Sequence, residues 1–458
     1  MSAESGEPPV DELPPGPGAP GWWQLARFAH EPLAMIDEGH RRFGDAFTLR
    51  TSGFPPMVML ADPEAVRDVF RGGPEALHSG EANALFRATV GASSVLVLDE
   101  APHARQRRVL VPPLKGERMR AFFEAMRSET LEAVEGWPVG RAFPTLETMR
   151  RITLRVILRA GLGLEAGPVL DEFERKVEAV LANGRQRHAL VMMVVVPIER
   201  LSGSRWVPLF RQIRALDDAL YALIGERRRG QSRAAGGNVL DDLLAARHED
   251  GSPLADTEAR DAIFTILVAG HETTALATSW ALAELAARPA IVDRLIDELR
   301  RVSGGGTPEA DQLAALEYLD LAIREALRLL PVVPFVVRRV KQPFTAGGQT
   351  YPAGVTLAPC SYLVHRREEL YPEPEAFRPE RFLDRKYGPQ EWFPFGGGNR
   401  ICLGMPFALY EMKVVLATLL ARVRPARPPG ARSRARRYGI VLGPDDGGRI
   451  LVRPTGAG

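Results

Sequence analysis

The chain has 458 residues, 45% hydrophobic and 25% charged, and its 59 basic side chains nearly balance 57 acidic ones, giving a formal charge of +2. These are ordinary values for a globular protein, with room for one large core or up to three domains. So small a net charge excludes a wholesale electrostatic grip on nucleic acid, and two cysteines, Cys360 and Cys402, exclude a disulfide framework and fit a reducing, cytoplasmic setting.

Residues 1–20 hold acids and six prolines, so they read as a disordered lead and not as a signal peptide or a membrane anchor. Residues 21–458 read as a single domain. Its part from about 21 to 75 is expected to be β-rich: Phe47 to Thr51 and Met57 to Ala61 flank Gly53, Pro55 and Pro56 as a hairpin, and Asp62-Pro63 opens a helix over Glu64 to Phe70. Helical periodicity then dominates about 76–331, in Met119 to Val134, Leu146 to Ala160, Val169 to Leu181, Leu209 to Arg229 and Val239 to Arg247. The longest apolar run, Ala189 to Ile198, is far short of the roughly 20 residues that cross a bilayer. Gly230 to Asn238 reads as a surface linker.

The longest helix is expected over about Leu254 to Ala287, and because it is apolar on more than one face it should run through the interior. Residues 332–401 form a β and irregular segment, and a last helix runs from near Cys402 to about Arg424. The fold class is mainly α with small β-sheets.

The most informative stretch is Phe395-Gly-Gly-Gly-Asn-Arg-Ile-Cys-Leu-Gly404. Glycines let the backbone approach a flat macrocycle and adopt positive φ. Amides around Cys402 and the following helix start are expected to lower the pKa of its thiol and donate hydrogen bonds to a thiolate. A thiolate that pushes electron density onto haem iron is what O–O cleavage requires, and Arg400 is placed to neutralise a propionate. The five fixed residue types of this loop coincide by chance in about one such chain in ten thousand.

On those residues the sequence resembles the cytochrome P-450 superfamily of haem-thiolate monooxygenases, whose pattern Phe-x-x-Gly-x-Arg-x-Cys-x-Gly is matched at Phe395, Gly398, Arg400, Cys402 and Gly404. The resemblance implies haem b between the long helix and the cysteine-loop helix, with Cys402 as the iron ligand and Phe395, Gly396 and Gly404 shaping its loop. Ala269-Gly-His-Glu-Thr-Thr274 falls in the long helix. There the family's acid and alcohol relay protons to dioxygen, so the resemblance gives Glu272 and Thr273 catalytic roles. Without a haem, the same threonine would be a core residue bonding back one turn. His271 is expected on the helix surface or in a solvent channel, outside the site.

His103, Arg107, Arg400 and Arg338 are implied as haem-binding residues, with His103 to Arg107 open to being an exposed basic turn and Arg339 the alternative to Arg338. Glu325, Arg328 and Arg381 match the family's buried ion triad. The pocket is expected from Leu85 to Val97, Val180 to Pro197 with Met192 and Met193, Ile266 to Ala269 and Pro331 to Val336; Arg87, Arg185 and Arg187 could turn inward and favour a carboxylate.

The implied activity is insertion of one oxygen atom of dioxygen into a hydrophobic small molecule such as a fatty acid, terpenoid, steroid or macrolide-like compound. Electrons would come from a separate ferredoxin or flavodoxin with its reductase, docking on Arg107, Arg108, Lys115, Arg118, Arg400 and Lys413. A monomer with no nucleic-acid partner is expected. The alternatives are a haem-thiolate peroxygenase or isomerase that does not use dioxygen, and a non-catalytic haem or ligand-binding protein.

Overall fold

The structure, a computed structural model, describes residues 12–116, 118–185, 207–230 and 237–455. Its longer helices are α1 (Gly21–His30), α2 (Pro32–Phe43), α3 (Pro63–Arg71), α4 (Glu100–Leu110), α5 (Phe123–Glu135), α6 (Leu146–Leu162), α7 (Pro168–Gly184), α8 (Pro208–Arg228), α9 (Val239–Ala245), α10 (Asp256–Ala286), α11 (Pro289–Ser303), α12 (Glu317–Leu329) and α13 (Met405–Arg422). The long helix predicted over 254–287 is α10. It starts where the Glu258 carboxylate accepts the Ala255 N–H at 2.9 Å, half of a capping box. Apart from a few positions near its middle it is buried along most of its length, packed most extensively on α6 and also on α12 and α13. Among the described residues no helix is long and apolar enough to cross a membrane.

A five-stranded sheet flanks this helical body in the order β1 (Ala46–Leu49), β2 (Met57–Leu60), β5 (Thr356–Pro359), β4 (Arg338–Val340), β3 (Leu77–His78). β1 and β2 form the expected hairpin, and β2 pairs in parallel with β5, placing Met57 opposite Thr356. The sheet therefore joins the N-terminal part of the chain to the segment before the cysteine loop.

Two expectations for the N-terminal part need correction. Residues 21–43 are helical, not β-rich, because Gln24, Leu25, Phe28 and Ala29 make one buried stripe on α1, and Met35, Ile36 and Gly39 make another on α2. Residues 12–20 do not belong to a disordered lead. Leu13 is buried, Thr48 Oγ1 donates to Pro14 O at 2.6 Å and Thr48 N to Pro15 O at 3.1 Å, and Gln24 Nε2 donates to Pro17 O and Ala19 O.

Candidate functional site

The cysteine loop is drawn tight by its own backbone. Gly396 N–H donates to Phe393 O and Cys402 N–H to Phe395 O, each at 3.0 Å. Gly396 and Gly398 have φ of +68° and +65°, a region that disfavours other residues, and a Cβ at Gly398 would lie 2.2 Å from the Phe70 carbonyl oxygen. The Cys402 sulfur receives the N–H groups of Gly404 and Met405 at the start of α13, which pull its pKa down, as does nearby Arg107. Burial outweighs them and pushes the Cys402 thiol up, contrary to the sequence expectation. A bound cation would reverse this, since a coordinating thiol is deprotonated by the metal itself.

Cys402 is nevertheless exposed to an opening. Residues 94–99 span from α10, where Ser94 Oγ meets Thr265 Oγ1 at 2.7 Å, to the cysteine loop, where Arg400 donates to Val95 O and Leu98 O. On the other flank Arg338 donates to Gly397 O at 3.1 Å, and Val336 lies against Gly396. Between these spans, in the middle of a helix that is otherwise largely buried, Ala269 is exposed and Ile266, Val268 and Thr273 are half-buried. Accessible apolar positions in the middle of α10 and an accessible sulfur, linked along one edge by residues 94–99, thus define an opening between helix and loop.

Cations gather at its rim. Among the described residues, buried Arg338 has only the Val337 and Gly397 carbonyls as hydrogen-bond partners, and burial together with Arg400 lowers its pKa to about 9. Burial, partly opposed by Asp99, lowers Arg400 to about 10, and its Nε finds no partner among the described residues. Buried His103 is pushed down to about 4 by burial and by Arg400, Arg107 and Arg338. Asp99, which pairs with Arg400, is the one acid acting on this group among the described residues. A buried excess of positive charge of this kind wants an anion. An exposed thiol beside an apolar opening, glycines against it and an excess of guanidinium charge at its edge fit haem b with its two propionates.

Each predicted residue can now be placed. Cys402, Phe395, Gly396, Gly404, Arg400, Arg338, Arg107 and His103 come together. Arg107 sits on the sulfur side, donating to Ile401 O at 2.9 Å. Arg338 faces the loop, whereas Arg339 points to Gly354 O and Glu81. Thr273 borders the opening and donates back to Ala269 O at 2.6 Å. Glu272 is buried and held from two sides, by Arg150 Nη2 at 2.6 Å and Arg185 Nη2 at 2.7 Å. His271 is not on a surface or in a channel: it is wholly buried, bonded through Nδ1 to Thr153 Oγ1 and lying 3.4 Å from Glu178.

Glu325, Arg328 and Arg381 form a buried cluster, with Arg328 Nε at 2.7 Å and Arg381 Nε at 3.0 Å from the carboxylate. Of the residues expected at a docking face, Lys413 is buried and paired with Asp320, and Arg400 is turned inward; Arg108 and Lys115 are exposed, and the Arg118 side chain lies outside the described residues. Of the expected pocket, residues 186–197, with Met192, Met193 and Arg187, lie outside the described residues.

Sequence reasoning missed Arg150, which comes from α6 and reaches Glu272 across 122 positions. It carries no local signal.

The protein-family model described as Cytochrome P450 matches residues 14–445. The chain is similar to the "Putative cytochrome P450 135B1" of Mycobacterium bovis, with 37% identity over 97% of this chain and 92% of the relative. It is also similar to the "Putative cytochrome P450 138" of the same organism, with 34% identity over 97% of each. Among solved structures, the "Retinoic acid bound cyanobacterial CYP120A1" superposes with a TM-score of 0.81 over 96% of this chain and all of the other, at 24% identity, which speaks for the fold.

Proposed function

This chain belongs to the cytochrome P450 family and is a haem-thiolate monooxygenase using dioxygen, a small-molecule substrate and redox partners; we propose that its substrate is an uncharged, hydrophobic molecule, with Cys402, Thr273 and Glu272 carrying the chemistry. The observation that carries this reading is that the accessible residues on the α10 side, Ile266, Val268 and Ala269, and those on the flanking spans, Val95, Leu96 and Val336, are all apolar. Two cations that could have favoured a carboxylate are engaged elsewhere. Arg87 is exposed and donates to Val97 O, and Arg185 is bound by Glu178 and Glu272.

Haem held by Cys402 supplies the dioxygen-activating centre; the protein supplies orientation, water exclusion and proton supply. Cys402 is the iron ligand, its lone pairs oriented by the Gly404 and Met405 N–H groups. Arg338, Arg400 and His103 bind the propionates, and Arg107 steadies the thiolate side. Thr273 Oγ1, at the edge of the opening, passes protons inward. Glu272 is the acid behind it, and because Arg150 and Arg185 both hold its carboxylate it has to release one of them before it can turn toward the opening. Electrons come from a separate ferredoxin or flavodoxin with its reductase, reaching the Lys115 and Arg108 side of a monomeric enzyme.

The test is a spectral titration of the ferric enzyme with ligands of matched chain length, one bearing an alcohol and the other a carboxylate. The alcohol should bind at least as tightly and be oxidised under reductase supply. Clear preference for the carboxylate would overturn the uncharged-substrate reading, and turnover driven by peroxide alone would point to a peroxygenase.

A further inference from the structure

His365 follows β5 at the end of a short helix, Ser361–Val364, and is wholly buried. Both of its ring nitrogens are used by main chain. Phe393 N–H lies 3.0 Å from Nε2, and Arg328 O lies 3.2 Å from Nδ1. A backbone amide can only donate, so Nε2 is the bare acceptor and Nδ1 carries the proton given to Arg328 O. One tautomer of the neutral imidazole satisfies both groups; imidazolium satisfies only one. Arg328 Nη1 returns the contact by donating to His365 O at 2.8 Å.

Among the described residues the ion cluster makes no bond of its own to the cysteine loop. Arg328 and Arg381 bond the carbonyls of Pro372, Glu373 and Ala376, and Glu325 accepts Arg378 N–H, all well upstream of Phe393. His365 spans that gap at Phe393, beside Tyr371, whose ring lies against Arg328 and Arg381 and whose hydroxyl donates to Glu391 O at 2.8 Å. Its ring also stands edge-on to Phe393 at 5.4 Å, and Phe393 stands edge-on to Phe70 at 5.3 Å, whose ring fills the space above Gly397. Phe393 O in turn holds Gly396 N–H at the start of the glycine turn.

We infer that His365 is a positioning residue for Cys402: as a neutral imidazole it carries the rigidity of the Glu325–Arg328 cluster onto the Phe393 backbone, the last fixed point before the loop that presents the sulfur. The inference rests on Cys402 being the haem ligand, and it concerns how long the sulfur stays in place.

The test uses the haem-loaded full chain with His365→Gln, His365→Asn and His365→Leu. A glutamine can present an acceptor where Nε2 stood; asparagine reaches only the Nδ1 position, and leucine reaches neither. The carbon monoxide difference spectrum of the reduced enzyme is followed over time at a fixed temperature. The Gln variant should keep its thiolate-type band within about twofold of wild type, whereas the Asn and Leu variants lose it about tenfold faster, the effect of one buried amide left without an acceptor. Amide hydrogen exchange across residues 393–402 reads the same contact without relying on the haem, and it should rise in Asn and Leu but not in Gln. Equal behaviour of Gln and Asn, in either measurement, overturns the inference even if Leu fails to fold. A wild type without a thiolate-type band would instead sink the assignment of Cys402, and the exchange data would still decide the role of His365.

Discussion

On the cysteine side of the opening, side chains grip main chain: Arg107 holds Ile401 O, Arg338 holds Gly397 O, Arg400 holds Leu98 O, and His365 accepts Phe393 N–H. On the α10 side, side chains grip each other: Glu272 is held by Arg150 and Arg185, and His271 by Thr153 beside Glu178. Main-chain anchoring fixes where the sulfur is whatever residues surround it. Side-chain pairing leaves the α10 wall able to rearrange, which suits a surface that must admit a substrate and move protons.

The sharpest way to break this contrast is Cys402→Ala, which should abolish the thiolate-type carbon monoxide band and all dioxygen-dependent turnover while leaving the melting temperature of the protein moiety near that of wild type without haem. Next in size is Glu325→Ala. It strands two buried guanidiniums, Arg328 and Arg381, and should cost about 3–5 kcal/mol in denaturant titration. Thr273→Ala acts on the other wall and should leave the fold and the band intact. Product formed per dioxygen consumed should fall on the order of tenfold, measured by oxygen electrode against product analysis.

A smaller effect separates the walls by pH. Burial and Arg328 hold the pKa of His365 well below its ordinary 6.5, with Arg366 adding to the effect; Tyr371 and Phe393 are the rings against it, and Glu325 is paired to Arg328. Its contribution to stability is therefore whole above pH 6.5 and lost as pH falls through that value toward the folded-state pKa, at up to about 1.4 kcal/mol per pH unit. Stability of His365→Gln should fall less steeply in acid than wild type, although His103 contributes to the same limb in both. The smallest effect is expected for Arg87→Ala. This exposed side chain donates to Val97 O, and its loss should change stability by less than about 0.5 kcal/mol and leave alcohol and carboxylate binding in the same order.

Much of the cysteine side was legible in the sequence because its residues are adjacent: glycines, Arg400 and Cys402 sit within ten positions and each type has one physical use there. The long helix was legible for a different reason, its apolar character on more than one face. α1 and α2 were not, since their tryptophans, prolines and glycines look like strand and turn until the buried spacing of Leu25, Phe28 and Ala29 is noticed. Glu272 was found, but not its partners, because an ion pair between residues 122 positions apart leaves no local pattern. His365 is the extreme case: its partners are a carbonyl and an amide, which every residue has.

The proline-rich stretch along β1 has a further consequence. β1 is the outer strand of its sheet, and the chain covering it approaches so closely that a side chain at Gly16 would strike the Thr48 carbonyl. Pro14, Pro15 and Pro17 can accept from β1 or α1 but have no N–H to offer a further strand. The stretch therefore ends the sheet where a bare outer strand would recruit the same strand of a second molecule. A protein shortened to begin at residue 21 should retain its haem spectrum and yet associate at concentrations where the full chain stays monodisperse.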